Sequence, residues 1–262
     1  MNHNNDILVS ALTSAIHHNK LHQVYQPKID SLNGKVVGVE ALSRWNDPVL
    51  GSVPPSVFIP LAEKYNLMEP LTLNAITSIV SQCAIWNQQG INLKMSINAS
   101  MQDLHSEKIV GHMCDALIKF NVDPTQIVLE ITETAIMEDR DQCANTLSVL
   151  NAMGIGLSID DFGIGHAPFV YLKHFPINEI KIDKMFVDEV ATNPKDAAIV
   201  KCMVDLGHAT GCVVVAEGVE NEQTAKTLKS LGCDILQGYY FSKPIKAHEI
   251  VNFINAREKV IA

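Results

Sequence analysis

Residues 126–160 read QIVLEITETAIMEDRDQCANTLSVLNAMGIGLSID, and they decide the fold class. The segment begins with a run of β-prone residues, QIVLEIT, and ends with a second run, IGLSID. Between these runs, residues 139–153 are predicted to form a helix that ends at Gly154. Two strands joined by a helix form a β/α/β unit whose strands are parallel. This segment therefore predicts an α/β protein with a parallel sheet.

The same alternation continues on both sides of the segment. LKMSIN is predicted as the preceding strand, and EIKID, VVVAE and DILQGYYF are predicted as the following strands. Further helices are predicted at residues 56–66, 69–88, 106–120, 167–174, 194–210, 221–231 and 246–257. With two more strands nearer the N-terminus the count reaches eight, the number that closes a TIM-type barrel. An open doubly wound sheet is the alternative, but the sequence has no G-x-G-x-x-G motif that would favour it.

The two remaining strands, QVYQPKID and KVVGVEALSRW, are separated by a short polar segment that contains Asn33 and Gly34. An Asn-Gly pair between β-prone runs is a hairpin signal, so these two strands are expected to be antiparallel. We therefore expect a TIM-like (β/α)8 barrel with one antiparallel strand near the N-terminus. We expect one domain over residues 1–262, in which residues 1–20 contribute an N-terminal helix that packs on the barrel.

The composition fits a folded domain with a sizeable core, since 47% of the 262 residues are hydrophobic and 19% are charged. The chain has 20 Lys and Arg against 29 Asp and Glu, a net charge of -9. This balance argues against DNA or RNA as a partner, because such surfaces need clustered basic residues.

The six cysteines form no C-x-x-C pair, which is typical of reduced residues in a cytoplasmic protein. The sequence predicts neither a signal peptide nor a membrane-spanning segment.

Seven predicted strands end at or near an acid, an amide or a lysine. These residues are Glu40, Asn98, Glu130, Asp160 with Asp161, Lys181, Glu217 and Gln237. A parallel barrel gathers the C-terminal ends of its strands at one mouth, so they are expected to meet in a small volume. Five carboxylates at close range raise one another's pKa and need cations to remain ionised together. The pattern therefore predicts a metal-dependent active site.

The donor types indicate which metal this site would hold. Carboxylate and amide oxygens suit Mg²⁺ or Mn²⁺, whereas a zinc site would usually present His or Cys. Asp160 and Asp161 are adjacent, so one aspartate can bridge two ions while its neighbour holds the second. Glu217 would complete the shell of the second ion. Two such ions are typical of in-line displacement at phosphorus.

Each of these residues also has a structural interpretation. A single acid such as Glu130 or Asp160 at a strand end more often caps a helix than binds a metal. Asn98 could cap a turn, and Lys181 taken alone would be a solvated lysine. As part of a site, Lys181 could position or deprotonate the attacking water, or hold a phosphate. The pattern as a whole favours the functional interpretation, because chance placement at seven strand ends is improbable.

At these residues the sequence resembles the EAL-domain family of cyclic di-GMP phosphodiesterases. The motif that gives the family its name occurs here within the segment EALSR, from Glu40 to Arg44. The blocks SINAS, LEITET, IDDFG, KID, VVAEGVE and QGYYFSKP follow it in order, so the resemblance covers nearly the whole chain. Each block alone is weakly specific, but the ordered set is very specific.

The resemblance implies a TIM-like barrel that hydrolyses cyclic di-GMP to linear pGpG with two Mg²⁺ or Mn²⁺ ions, while Ca²⁺ is expected to inhibit. It implies catalytic roles for Lys181, Glu217 and Glu40. It implies that the metal ligands are Glu40, Asn98, Glu130, Asp160, Asp161 and Glu217. It implies that the substrate-binding residues are Gln26, Leu42, Arg44 and Gln237, with Gln237 also supporting the water and the metal shell. Glu133 would brace the loop after Asp161, although it could equally cap the following segment.

The same resemblance implies a cytoplasmic homodimer whose interface lies near that loop, and a regulatory domain can accompany such a domain in the full-length protein. Two other functions stay open. The chain can be a non-catalytic cyclic di-GMP receptor that signals through protein contacts, or another metal-dependent phosphoesterase on the same fold.

The loop after the paired aspartates departs from the family pattern. Family members typically read FGTGYSS there, whereas this chain reads FGIGHAP over residues 162–168. Ile164 replaces a threonine, His166 a tyrosine, and Ala167 with Pro168 two serines, so hydroxyl groups that could hold the loop are lost. We expect the chemistry to be retained, and dimer coupling, metal affinity or rate to be altered.

Overall fold

The computed structural model describes residues 3–106, 108–132, 140–165 and 172–261. The strands in these ranges are β1 (Leu21–Asp30), β2 (Val36–Asp47), β3 (Gly51–Val53), β4 (Lys94–Ala99), β5 (Ile127–Thr132), β6 (Gly156–Phe162), β7 (Glu179–Ile182), β8 (Val213–Ala216) and β9 (Ile235–Leu236). Eight of these strands close into a barrel, because β1 pairs with both β2 and β9. The short strand β3 pairs with β2 outside the barrel. The predicted (β/α)8 class is therefore confirmed.

Helices cover the outside of the barrel. In chain order they are α1 (His3–His17), α2 (Pro55–Lys64), α3 (Met68–Gln88), α4 (Met101–Leu104), α5 (Lys108–Phe120), α6 (Arg140–Ala152), α7 (Lys184–Val187), α8 (Pro194–Ala209), α9 (Glu222–Leu231) and α10 (Ala247–Ile261). The sequence did not predict β3, α4 or α7, which are three or four residues long. Most of the helix predicted at residues 167–174 lies outside the described residues.

The N-terminal hairpin has the predicted geometry. β1 and β2 are antiparallel, and Gly34 between them has a φ of 73°, a backbone conformation that glycine adopts readily. The Asp30 carboxylate accepts hydrogen bonds from the backbone N–H groups of Leu32 and Asn33, both at 2.9 Å, which fixes the turn. β1 is also antiparallel to β9, whereas the pairs from β2–β4 round to β8–β9 are parallel. The predicted single antiparallel strand is β1.

The last strand is much shorter than the predicted segment DILQGYYF. β9 contains Ile235 and Leu236 alone, and the chain then turns. The turn is fixed by the backbone, since the N–H of Tyr240 donates to the carbonyl of Val219 at 2.9 Å. Gly238 lies so close to Val219 that a Cβ atom there would be 2.1 Å from the Val219 carbonyl oxygen. The aromatic residues of QGYYF suggested a strand, but this close contact between two loops overrides that local preference.

Two apolar clusters stabilise the architecture. The larger lies between the outward faces of the barrel strands and the helices, where Ile97, Leu129, Ile159 and Val214 are 0–1% exposed. Burial of each such side chain contributes about 1.5–3 kcal/mol. In the smaller cluster, Leu12 and Ile16 of α1 pack with residues of α2, α3 and β2. Among the described residues no helix combines the length and apolar character needed to cross a membrane.

Candidate active site

The strand-end residues meet at one end of the barrel in what we call the mouth ring. Side chains along a barrel strand alternate between the interior and the helix layer, so residues two positions apart on one strand both point inward at different depths. The ring consists of Gln26, Glu40, Asn98, Glu130, Asp160, Lys181, Glu217 and Gln237, from β1, β2, β4, β5, β6, β7 and the segments that directly follow β8 and β9. The fold thus brings together residues that lie up to 211 positions apart in the sequence.

Lys181 is the centre of the ring. Its Nζ atom lies 2.7 Å from Glu217 Oε1, 2.9 Å from Glu130 Oε2, 3.1 Å from Asp160 Oδ1 and 3.6 Å from Glu40 Oε2. The side chain is 1% exposed. Burial alone would lower the pKa of Lys181, but the surrounding carboxylates raise it well above its ordinary value. Lys181 is therefore a buried ammonium that partly neutralises four acids, and the solvated-lysine interpretation is wrong.

Glu40 is held by amides on two sides. Asn98 donates to Glu40 Oε1 at 2.9 Å, and Gln237 donates to Glu40 Oε2 at 2.7 Å. Gln237 also donates to the side-chain oxygen Oε1 of Gln26 at 3.3 Å, and the side-chain nitrogen of Gln26 donates to the backbone carbonyl of Ser242. Burial raises the pKa of Glu40, and the nearby acids Glu130 and Asp160 add to this effect. These contacts orient the Glu40 carboxylate in the absence of any ligand.

Glu130 is paired with two lysines. Its Oε2 atom contacts Lys181, and its Oε1 atom contacts Lys28 at 2.7 Å from the side away from the mouth. Burial would raise the pKa of Glu130, but the two ammonium groups outweigh it and lower the pKa to about 2. The sequence reasoning missed Lys28, which lies two residues after Gln26 on the same face of β1.

Asp160, Asp161 and Glu217 form the more open part of the ring. One carboxylate oxygen from each lies within 4.8 Å of the others, and all three side chains are partly exposed. Burial raises the pKa of Glu217 to about 8, and the charges of Asp160 and Glu40 contribute to the shift. Burial and the charges of Asp160 and Asp183 raise the pKa of Asp161 to about 6. These three acids have more negative charge than the neighbouring ammonium can offset.

Asp161 also has an unusual backbone. Its φ is 54°, in the left-handed region that non-glycine residues rarely adopt. Its N–H donates to Asp160 Oδ1 at 3.0 Å, and its carbonyl accepts from the N–H of Ile164 at 3.2 Å. Residues held in such conformations often cluster at functional sites, where the surrounding structure enforces them. Here the conformation lets two successive aspartates both contribute to the three-acid group.

A cleft of about 710 Å³ adjoins the ring. Glu40 and Asn98 line it together with Leu42 and Arg44, two of the residues expected to bind substrate. Burial lowers the pKa of the Arg44 guanidinium, which nevertheless stays a cation and donates to the carbonyl of Ser43 at 2.9 Å. A volume of this size is typical of a small-molecule site. Leu42 and Arg44 therefore present an apolar and a cationic surface beside the acids.

Two expectations fall on residues that the structure does not describe. Glu133 and the segment 166–168 lie outside the described ranges, so the proposed bracing of the loop stays a prediction. Within the described part, Ile164 is 52% exposed at the position where family members have threonine.

The ring suits hard divalent cations. Its donors are carboxylate and amide oxygens, and burial, together with the charges of neighbouring acids, raises the pKa values of Glu40, Asp161 and Glu217. Mg²⁺ and Mn²⁺ are bound by such oxygens. The residues therefore fit the predicted metals.

The comparisons with known proteins agree on one family. The sequence model of the EAL domain matches residues 9–244. The oxygen sensor protein DosP of Escherichia coli (strain K12) is 38% identical over 251 residues, which are 95% of this chain and 31% of DosP. The bifunctional diguanylate cyclase/cyclic di-GMP phosphodiesterase MucR of Pseudomonas aeruginosa is 37% identical over 245 residues, 93% of this chain and 36% of MucR. The chain thus spans about a third of the length of these relatives.

Solved structures lead to the same result. A structure described as the PaMucR phosphodiesterase in complex with c-di-GMP superimposes with a TM-score of 0.88 at 37% identity. The match covers 93% of this chain and 99% of that one.

Proposed function

The chain belongs to the EAL domain family, and on this basis we propose that it is a metal-dependent phosphodiesterase that hydrolyses cyclic di-GMP to linear pGpG. The observation that carries the proposal is the contact of Lys181 with four carboxylates, one of which also lines the neighbouring cleft. Such a cluster is costly to bury unless it serves to bind cations or to perform chemistry. The choice of substrate is supported by the related MucR, which is named as a cyclic di-GMP phosphodiesterase.

We assign two Mg²⁺ or Mn²⁺ ions to the mouth ring. The ligands proposed for the first ion are Glu40, Asn98, Glu130 and Asp160. The ligands proposed for the second ion are Asp160, Asp161 and Glu217, the three acids whose oxygens already lie close together. When bound, a pair of such ions lowers the pKa of a water molecule and offsets charge on a phosphodiester.

The protein's own side chains would orient the substrate and control protons. Arg44 and Leu42 line the cleft, where Arg44 would pair with a phosphate and Leu42 would make an apolar contact with a base. Gln26 and Gln237 are hydrogen-bonded to each other and border Glu40, so they support both the substrate and the ligand shell. Lys181 holds its proton in the present arrangement. It would act as a donor that positions the water, and it becomes a base only if cations take over its carboxylate partners.

The decisive experiment follows linear pGpG after cyclic di-GMP is incubated with pure protein and Mg²⁺ or Mn²⁺. We expect turnover with either ion, poor turnover with Ca²⁺ because its looser coordination misplaces the water, and loss of turnover in Asp160→Asn. Binding without turnover under either metal would contradict the enzyme and favour the receptor. Equal hydrolysis of cyclic mononucleotides would favour another phosphoesterase, so these compounds belong in the same assay.

The proposal includes the cellular location of the protein, its oligomeric state and its regulation. All six cysteines are free thiols, which supports a cytoplasmic location. A homodimer and regulation by an accompanying domain are proposed from the family resemblance and from the greater length of the relatives. The molecular mass in solution, measured with and without cyclic di-GMP, tests the dimer.

A further inference from the structure

A second polar level lies beneath the mouth ring. The interior of a TIM-type barrel is usually filled by branched apolar side chains. Here four residues that lie two positions from ring residues on the same strands are polar and buried. They are Lys28, Ser96, Ser158 and Glu179. We call these four residues the lower level.

Lys28 connects this level to the ring. Its Nζ atom lies 2.7 Å from Ser96 Oγ, 2.7 Å from Glu130 Oε1 and 3.0 Å from Glu179 Oε1. An ammonium group has three hydrogens, so these three acceptors satisfy it completely. Its side chain is 3% exposed. The acceptors come from β4, β5 and β7, and one lysine thus ties three strands together inside the barrel.

Lys28 and Lys181 contact different oxygens of the Glu130 carboxylate. Lys28 holds Oε1 from the lower level, while Lys181 contacts Oε2 within the ring. Because each of the two oxygens is held by a different lysine, rotation of the Glu130 carboxylate is restricted. Its second oxygen then faces the ring without any further ordering.

We propose that Lys28 is a positioning residue that fixes Glu130 for cation binding, an assignment that rests on the proposed metal-dependent function of the ring. Lys28 contacts no other proposed metal ligand among its described hydrogen-bond and ion-pair partners. It acts through Glu130, in the way that partners behind a metal ligand orient that ligand and raise its affinity. Loss of such a partner typically costs about 10–100-fold in metal affinity.

A different role for Lys28 would be purely structural. The ion pair with Glu179 keeps two charges in the barrel interior, and its loss would leave Glu179 buried and unpaired. The two roles differ in their response to Glu179→Gln. This change removes the charge that needs Lys28 for stability, and it leaves Glu130 untouched.

The test measures Mn²⁺ binding to the full chain without substrate, by electron paramagnetic resonance of free Mn²⁺ and by calorimetry. Lys28→Met is expected to weaken binding by at least about tenfold. Glu179→Gln is the matched control and is expected to stay within about twofold of the wild type. Because Lys28→Met alone leaves Glu179 buried without its cation and destabilises the fold, Lys28→Met/Glu179→Gln is the decisive variant. Its fold is checked by circular dichroism. We expect this double variant to regain thermal stability but not Mn²⁺ affinity.

The possible results distinguish a failure of the role of Lys28 from a failure of the proposed function. Wild-type Mn²⁺ affinity in the folded double variant would overturn the role of Lys28, while the proposed function of the ring would stand. Absence of Mn²⁺ binding in the wild type would overturn the proposed function and the role of Lys28 with it. Turnover gives a second readout: a defect in positioning is relieved when the Mn²⁺ concentration is raised about tenfold, whereas a general loss of folded protein is not.

Discussion

Glu130 and Glu217 both contact Lys181, from either side of β7, yet their surroundings differ. The side chain of Glu130 is 0% exposed and paired with two lysines, and its pKa is lowered to about 2. The side chain of Glu217 is 18% exposed and pairs with Lys181, and its pKa is raised to about 8. One carboxylate is therefore ionised and fixed before any ligand arrives, whereas the other retains a proton at neutral pH.

This difference suggests a division between the two proposed metal positions. The side formed by Glu40, Asn98 and Glu130 is ordered by its own hydrogen bonds and ion pairs. On the side formed by Asp160, Asp161 and Glu217, burial and neighbouring acids raise the pKa values of Asp161 and Glu217, and a bound cation would favour their ionised forms. Binding at the first side draws on preorganised geometry, and binding at the second side requires the release of protons.

The strongest test of the contrast is the substitution Glu130→Gln. It leaves Lys28 and Lys181 without their shared partner inside the barrel, and breaking a buried ion pair in this way costs about 3–5 kcal/mol. We expect the free energy of unfolding to fall by that amount and turnover to be lost. Urea denaturation in the presence of a chelator measures the first effect. A variant as stable as the wild type would show that the two lysines do not depend on Glu130.

A second test uses the pH dependence of metal binding. Glu217 must lose its proton to bind a cation, and its pKa of about 8 means that it is protonated below that pH. Mn²⁺ affinity is expected to rise by about tenfold per pH unit towards pH 8 and to level off above it. Calorimetry in buffers of different ionisation enthalpy measures the released proton. Affinity that is constant from pH 6 to pH 8 would contradict the raised pKa of Glu217.

The smallest effect is expected for the stability of Glu217→Gln. In the folded protein Glu217 binds a proton up to about pH 8, whereas in the unfolded chain it loses that proton near its ordinary pKa of 4.5. Stability therefore decreases as pH rises through this window, and a neutral amide removes the decrease. Near pH 4, without metal, Glu217 has a proton in both states, and we expect the variant to unfold within about 1 kcal/mol of the wild type. At neutral pH we expect it to be at least as stable as the wild type while turnover is lost. A loss of stability as large as that expected for Glu130→Gln would show that Glu130 and Glu217 do not differ in their contribution to the fold.

Much of the barrel could be predicted because its signals are local. Runs such as QIVLEIT and VVVAE are strongly β-prone, and Gly154, Gly211 and Gly232, each with positive φ, end the predicted helices. The convergence of Glu40, Glu130, Asp160 and Glu217 on Lys181 follows from the topology of a parallel barrel. The proton state of Lys181 depends on distances that no sequence pattern contains.

The lower level was missed for a specific reason. Lys28 and Ser96 lie inside their strands, where a polar residue looks like an interruption of an apolar run, and Glu179 is the first residue of its strand. The available signal was the two-residue period: each lies two positions from a ring residue on the same face. On β1 the deeper position comes after Gln26 rather than before it, because this strand runs in the opposite direction.

The two-residue strand β9 has a mechanical consequence. This strand pairs with both β1 and β8 through only Ile235 and Leu236, so it is shorter than the other strands of the barrel. Segments with few backbone hydrogen bonds open locally at low cost. Immediately after β9, Gln237 donates to Glu40 on β2 and to Gln26 on β1. The hydrogen bonds that orient Glu40 therefore also link β1, β2 and the end of β9, so a shift of Glu40 on ligand binding would be transmitted to this short strand.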